Sequence, residues 1–323
     1  MIISRTPFRV SFIGGGSDLQ AFYKQNKLGA VISTSIKKYM YIVIHPYFHD
    51  KIRLKYSITE DVNSINEIKH PIIKECIKKV RLNKGFEIAS FADIPSGTGL
   101  GSSSSFTVGL LNALYGHKDD KKSKDRLANE SCEIEIDILK EPIGKQDQYA
   151  ASYGGFNHIK FYKDESVDVI PLNLSDSFIN IFESSLRLYY TGERRNASSI
   201  LTEQKKNMSD KDKQSMLKKM VNLTEEFKKS LESEDLKLAG KILDYNWNLK
   251  KNLASNISNS NIDLMYKKAK EGGALGGKLL GAGGSGFLMV MAFDHKPIEN
   301  ILKCKSIGLE IDNSGTKLIN PNL

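Results

Sequence analysis

The chain has 323 residues, more than the ~100 to 200 that one core usually holds, so two packed units are expected. With 40% hydrophobic and 26% charged residues, the composition is that of an ordinary globular protein and excludes disorder, collagen and coiled coil. A mean hydropathy of −0.34, with no long apolar run, excludes membrane spans, while a net charge of +9 favours anionic partners.

The opening, Met1-Ile-Ile-Ser-Arg5-Thr-Pro7, lacks the features of a secretory signal, and a cytoplasmic location is expected. Cys76, Cys132 and Cys304 are odd in number and widely separated, which fits reduced thiols rather than a disulfide framework or paired zinc ligands. The histidines include no His-x-x-x-His pair, so any metal is expected to be hard and oxygen-ligated. No basic stretch is interleaved with aromatics, so the charge reads as a solvated face and nucleic acid is not an expected partner.

In chain order, Val10, Phe12 and Ile13 suggest a strand and residues 39–44 form a β-branched and aromatic run. Ile52, Leu54, Tyr56 and Ile58 alternate, and Phe86, Ile88, Ala92 and Ile94 nearly do. A helix follows, with Phe106, Leu110, Ala113 and Leu114 on one face and Gly116 as its end. A second helical stripe joins Leu127, Ala128, Ser131, Cys132, Ile134, Glu135, Ile138 and Leu139. Strands are expected again at 186–190, 286–293 and 309–312, around a helical block at 199–270 in which Met216, Met220, Leu223 and Phe227 share a face. The pattern is α+β, with one domain at 1–178 and another at 179–323.

Three glycine clusters punctuate this pattern. Residues 95–105, PSGTGLGSSSS, follow a strand and open a helix; Gly97, Gly99 and Gly101 permit a tight turn, and the helix N-terminus offers N–H groups and hydroxyls to an anion. The loop lacks the lysine of the Gly-x-x-x-x-Gly-Lys pattern and is not Gly-x-Gly-x-x-Gly, which disfavours a dinucleotide enzyme. Residues 272–286 carry eight glycines in fifteen positions and suit a backbone-lined ligand wall. At the start, Gly14, Gly15, Gly16, Ser17 and Asp18 follow a strand, where a sugar-like ligand could meet backbone and an acceptor carboxylate.

These clusters, in this order, resemble the GHMP kinase superfamily over nearly the whole chain: PSGTGLGSSSSFTVGLLNAL is similar to its phosphate loop and GGALGGKLLGAGGSGF to its carboxyl-terminal glycine motif. The resemblance implies an amino-terminal α/β domain with a left-handed crossover, a ferredoxin-like carboxyl-terminal domain, and an active site between them. Gly-Gly-Gly-Ser-Asp in place of Gly-Glu-His, with GKQDQY at 144–149 and YTGERRNA at 190–197, resembles the sugar 1-kinase branch that acts on D-glycero-D-manno-heptose 7-phosphate and L-fucose. The implied activity is ATP-dependent, Mg²⁺-assisted phosphorylation of an anomeric hydroxyl, with the heptose 7-phosphate as expected substrate and its 1,7-bisphosphate as a precursor of nucleotide-activated heptose. A free sugar such as fucose or mannose, or a catalytically silent regulator, are the alternatives; a homodimer stays open.

By the same resemblance Asp147 is the catalytic aspartate and Arg9 the cation near the transferred phosphate. Pro95, Gly97, Gly99, Leu100, Gly101 and Ser102 to Ser105 would hold ATP. Glu135, the one carboxylate on the apolar stripe while Glu130 and Glu133 face away, would hold Mg²⁺ with Ser104 or Ser103. Residues 14–18, Gly283, Gly284 and Arg195 would meet the sugar, and Lys37, Lys38, Arg194 and Arg195 are candidates for a substrate phosphate.

Overall fold

In β1 (Ile2–Ile13), Phe8, Val10 and Phe12 alternate into the core. The computed structural model describes residues 1–192 and 198–319. Its first sheet also contains β2 (Leu28–Pro46), β3 (Ile52–Lys55), β4 (Thr59–Val62), β5 (Phe86–Ala92), β6 (Phe156–Tyr162), β7 (Val167–Pro171) and, from far along the chain, β12 (Lys317–Ile319). The long β2 serves two arms: residues 28–34 pair with β6 and residues 40–46 with β5. The parallel pair β3 and β5 is joined through β4 and α2 (Pro71–Val80). Packed beside this sheet are α1 (Gln20–Asn26), α3 (Ser102–His117), α4 (Lys124–Cys132) and α5 (Gln146–Tyr153).

After α6 (Asp176–Ser184) comes a second sheet of β8 (Leu186–Tyr190), β9 (Gly276–Leu279), β10 (Phe287–Met291) and β11 (Ser306–Gly308), antiparallel in the order β11-β8-β10-β9. With α7 (Ser198–Lys206), α8 (Lys211–Glu232), α9 (Leu236–Lys251) and α10 (Ser260–Glu271) between β8 and β9, and α11 (Lys296–Leu302) between β10 and β11, this is a βαββαβ arrangement of ferredoxin-like order. The expected face of Met220, Leu223 and Phe227 is buried on α8. Phe12, Phe156, Phe182 and Phe227 form one aromatic cluster, with ring centroids 5.3 to 5.8 Å apart, that welds α6 and α8 to the first sheet. No helix of the described residues is long and apolar enough to cross a membrane.

Several expected elements differ. The alternation through Ile58 is broken at Tyr56, whose N–H bonds the Ile58 carbonyl to make a hairpin, and Ile58 faces solvent. Helix α3 continues through Gly116 and is buried on all sides, because the sheet lies under it and α2, α4 and α5 flank it. The last strand expected in the second sheet is 306–308 rather than 309–312. Residues 310–312 instead cross to β2, where the Lys37 N–H bonds Glu310 O and the Asp312 N–H bonds Ser35 O. The second helical stripe passes from α4 into a π-helical turn, Glu133–Ile138. The wider turn rotates the face, so Glu135 stays buried while Ile138 is 45% exposed. Glu130 also turns inward, accepting from the Tyr115 hydroxyl at 2.6 Å and Arg126 Nε.

Candidate active site

The strand period that sends Phe8, Val10 and Phe12 into the core sends Arg9 and Ser11 to the opposite side, toward a cleft of about 300 Å³. Arg9 is buried, and its planar fork grips Asp147 at the start of α5: Nε donates to Oδ1 and Nη2 to Oδ2, both at 2.7 Å, while Nη1 donates to Gly99 O at 2.6 Å. Gly101 lies directly over this pair. Its φ is +73°, which favours glycine, and a Cβ there would crowd the pair, at 3.1 Å from Arg9 Cγ and 3.2 Å from Asp147 Oδ2. Gly97, Gly99, Gly101 and Ser102 to Ser104 all line the cleft. The first-turn N–H groups of α3 lack helical acceptors, so this end of the cleft attracts anions.

Glu135 reaches the same place from the π-helical turn. Ser103 Oγ donates to it at 3.0 Å and Gln148 Nε2 at 2.6 Å, yet no cation pairs with it among the described residues. Burial pushes its pKa up to about 7 against these hydrogen bonds. A buried carboxylate beside loop hydroxyls is a hard-oxygen donor set, and it fits Mg²⁺, which takes one or two protein ligands and completes its shell with water and phosphate oxygens.

On the other side stands Asp18, accepting the N–H groups of Gly16 at 2.9 Å and Gln146 at 3.3 Å; burial, then the nearby Asp147 charge, raises its pKa. Gly15 and Gly16 line the cleft with it. Gly14 and Ser17 do not: Ser17 Oγ donates to Ala30 O at 2.9 Å, locking the glycine turn to β2. Ser105 is likewise turned away, donating to Pro7 O at 2.9 Å; Pro95 is exposed at the loop's mouth, and Leu100 packs in the core while its carbonyl accepts the Arg9 N–H.

The carboxyl-terminal glycine motif reaches the cleft at Gly281 and Ala282, whereas Gly283 packs on Ile257. Gly99 and Gly281 meet backbone to backbone: a Cβ on Gly99 would lie 2.5 Å from Leu280 O. Lys37 and Lys38 line a separate surface cleft beside Glu310, and Arg194 and Arg195 lie outside the described residues.

Two residues escaped the sequence reading. Lys250 lines the cleft and donates to Gly281 O; burial, then the neighbouring Arg9 charge, lowers its pKa to about 8. It continues the buried α9 stripe of Leu236, Ala239, Leu243 and Trp247, which was its available signal. Gln204 lines the cleft from α7, four residues after the buried Ile200.

The GHMP kinases N terminal domain matches residues 70–155, and the GHMP kinases C terminal domain matches residues 227–304. The D-glycero-alpha-D-manno-heptose 7-phosphate kinase of Campylobacter jejuni is 30% identical, over 98% of this chain and 97% of its own length. The galactokinase of Pyrococcus furiosus is 28% identical, over 91% of this chain and 90% of its own. Among solved structures, a D-glycero-D-manno-heptose 1-phosphate kinase from Bacteroides thetaiotaomicron superimposes with a TM-score of 0.82 at 23% identity, covering 99% of both chains. Two matched domains in order, and 30% identity along nearly the full length of a sugar phosphate kinase, place this chain among the GHMP kinases.

Proposed function

We propose that this ATP-dependent sugar kinase transfers the γ-phosphate of ATP to the anomeric hydroxyl of D-glycero-D-manno-heptose 7-phosphate, giving the 1,7-bisphosphate and ADP. The observation that carries the reading is the bidentate Arg9–Asp147 pair beneath Gly101, at the end of a serine-rich helix N-terminus. The heptose assignment draws on the 30% identity to the Campylobacter enzyme.

In this mechanism the glycine turn and the first-turn N–H groups of α3 bind the nucleotide phosphates. Glu135 and Ser103, with Ser104 beside them, would hold Mg²⁺, which when bound neutralises charge on the β- and γ-phosphates. Asp18, Gly15 and Gly16 position the sugar so that its anomeric oxygen faces the γ-phosphate in line with the ADP leaving group. Asp147 accepts the hydroxyl proton as that oxygen attacks, and later releases it to solvent. Arg9 aligns the carboxylate and, with Lys250, supports the charge that builds on the transferring phosphoryl group.

The test is ADP release with ATP and Mg²⁺ across heptose 7-phosphate, fucose, mannose, galactose, mevalonate and homoserine. Preference for the heptose phosphate is expected. Preference for a free sugar would move the substrate while retaining the Asp147 chemistry, and silence on all six would refute the kinase reading.

A further inference from the structure

Three polar atoms around Gly15 and Gly16 are buried without a hydrogen-bond partner among the described residues: Ser11 Oγ, Gln146 Oε1 and Gln204 Nε2. Gln204 is 2% exposed and Ser11 5%, so bulk water does not serve them. All three residues line the catalytic cleft. A Cβ on Gly15 would stand 3.6 Å from Ser11 Oγ and 3.8 Å from Gln146 Nε2, and one on Gly16 would stand 2.2 Å from Gln204 Nε2, so the two glycines hold these groups apart at close quarters. The three come from three elements: β1, the start of α5, and α7, where Gln204 is set beside Leu217 against Gly16.

Buried polar groups are normally paired, and an unpaired one is expensive to maintain. Three at one spot in a ligand cleft mark what the ligand brings there. Their chemistry is that of neither a phosphate nor an apolar group. A hydroxyl and two carboxamides, with both donors and acceptors to offer, complement groups that donate and accept together, and phosphate oxygens only accept. The cations of the cleft, Arg9 and Lys250, are distinct residues, so the lining divides into a cationic part for phosphates and a part around Gly15 and Gly16 for alcohols, where Asp18 adds an acceptor carboxylate.

We infer that Ser11, Gln146 and Gln204 form a subsite that reads hydroxyl groups of the sugar acceptor away from its reacting carbon, with Gln204 a specificity-determining residue. This rests on the sugar-kinase reading and deepens it, since a site built to bond a hydroxyl rejects the analogue that lacks it.

The experiment uses the full-length enzyme with heptose 7-phosphate, fucose, mannose and galactose, and then single-position deoxy derivatives of whichever sugar the wild type turns over best. In wild type, one deoxy derivative should lose about tenfold to a hundredfold in kcat/KM. In Gln204→Leu the intact sugar should lose as much, the same derivative should lose less than threefold more, and the KM for ATP should not move. Ser11→Ala supplies the same cycle independently, should Gln204→Leu fail to fold. Deoxy penalties that are identical in wild type and in the folded variants would overturn the inference and leave the heptose reading standing. A wild type that prefers a free sugar, with the penalty vanishing in Gln204→Leu, would overturn the heptose reading and keep the subsite. No turnover of any sugar would overturn both.

Discussion

The Arg9–Asp147 pair carries stability as well as chemistry, and a double-mutant cycle separates the two. Asp147→Ala leaves the Arg9 guanidinium buried, with the Gly99 backbone carbonyl as its remaining hydrogen-bond partner. Stranding one member of a buried pair costs ~3 to 5 kcal/mol. The Asp147 side chain keeps about a fifth of its surface in water, which brings the expected loss to about 2 to 3 kcal/mol. Arg9→Met should cost about the same, since it strands the carboxylate. The double variant should cost much less than the sum, with a coupling of about 2 kcal/mol, because no charge is then left unpaired. Urea unfolding of the four proteins measures this. Turnover should behave differently: Asp147→Ala should lose at least about a thousandfold while still binding ATP, and adding Arg9→Met should make it little worse, as for groups that act as one unit. Additive stability losses, or an Asp147→Ala enzyme within tenfold of wild type, would refute the assignment of this pair as the reacting centre.

Two further expectations follow from the geometry. His158 is buried, bonded through Nε2 to Thr224 Oγ1 at 3.0 Å, and desolvation pushes its pKa down to about 4. The unfolded chain takes up this proton near pH 6.5 and the folded one does not. Stability should therefore be intact above pH 6.5 and fall by up to about 3 kcal/mol as the pH drops toward 4, with the slope flattened in His158→Gln; urea midpoints at pH 7 and 5 check it. Ser103 and Ser105 should part company: Ser103→Ala should raise the Mg²⁺ concentration for half-maximal rate severalfold, whereas Ser105→Ala should lower stability by about 1 kcal/mol and leave that Mg²⁺ requirement alone.

What could be read in advance followed the period of the pattern. The alternating strand β3 and the α8 face were legible because they bury one side, and the glycine turns because positive φ demands them. Ile138 was misplaced because a π-helical turn changes the period locally, which spacing alone does not signal; Glu130, still in regular α4, is drawn inward by the Tyr115 hydroxyl of α3, a tertiary partner. Ser17 and Ser105 sat inside motif stretches, yet their hydroxyls bond backbone carbonyls across the fold, a partnership that depends on tertiary placement. Lys250 and Gln204 carried a signal, since both lie on buried helix stripes where polar residues need a reason, but their distance in sequence from the glycine motifs hid their common destination.

The pairing of β12 with β1 bears on how the enzyme comes into being. Ile3, Ser4 and Arg5 are matched with Ile319, Leu318 and Lys317, more than 300 positions away along the chain. The strand that carries Arg9 therefore leaves the ribosome with one edge unclaimed and keeps it so until the whole second sheet has been made. Such a contact can close only late, after a large loop has lost its entropy, which slows maturation and exposes a nascent sheet edge to wrong neighbours. Its completion ties competence at the catalytic strand to the arrival of the last sheet residues, so partly synthesised chains would be poor kinases even where every residue of the cleft is already present.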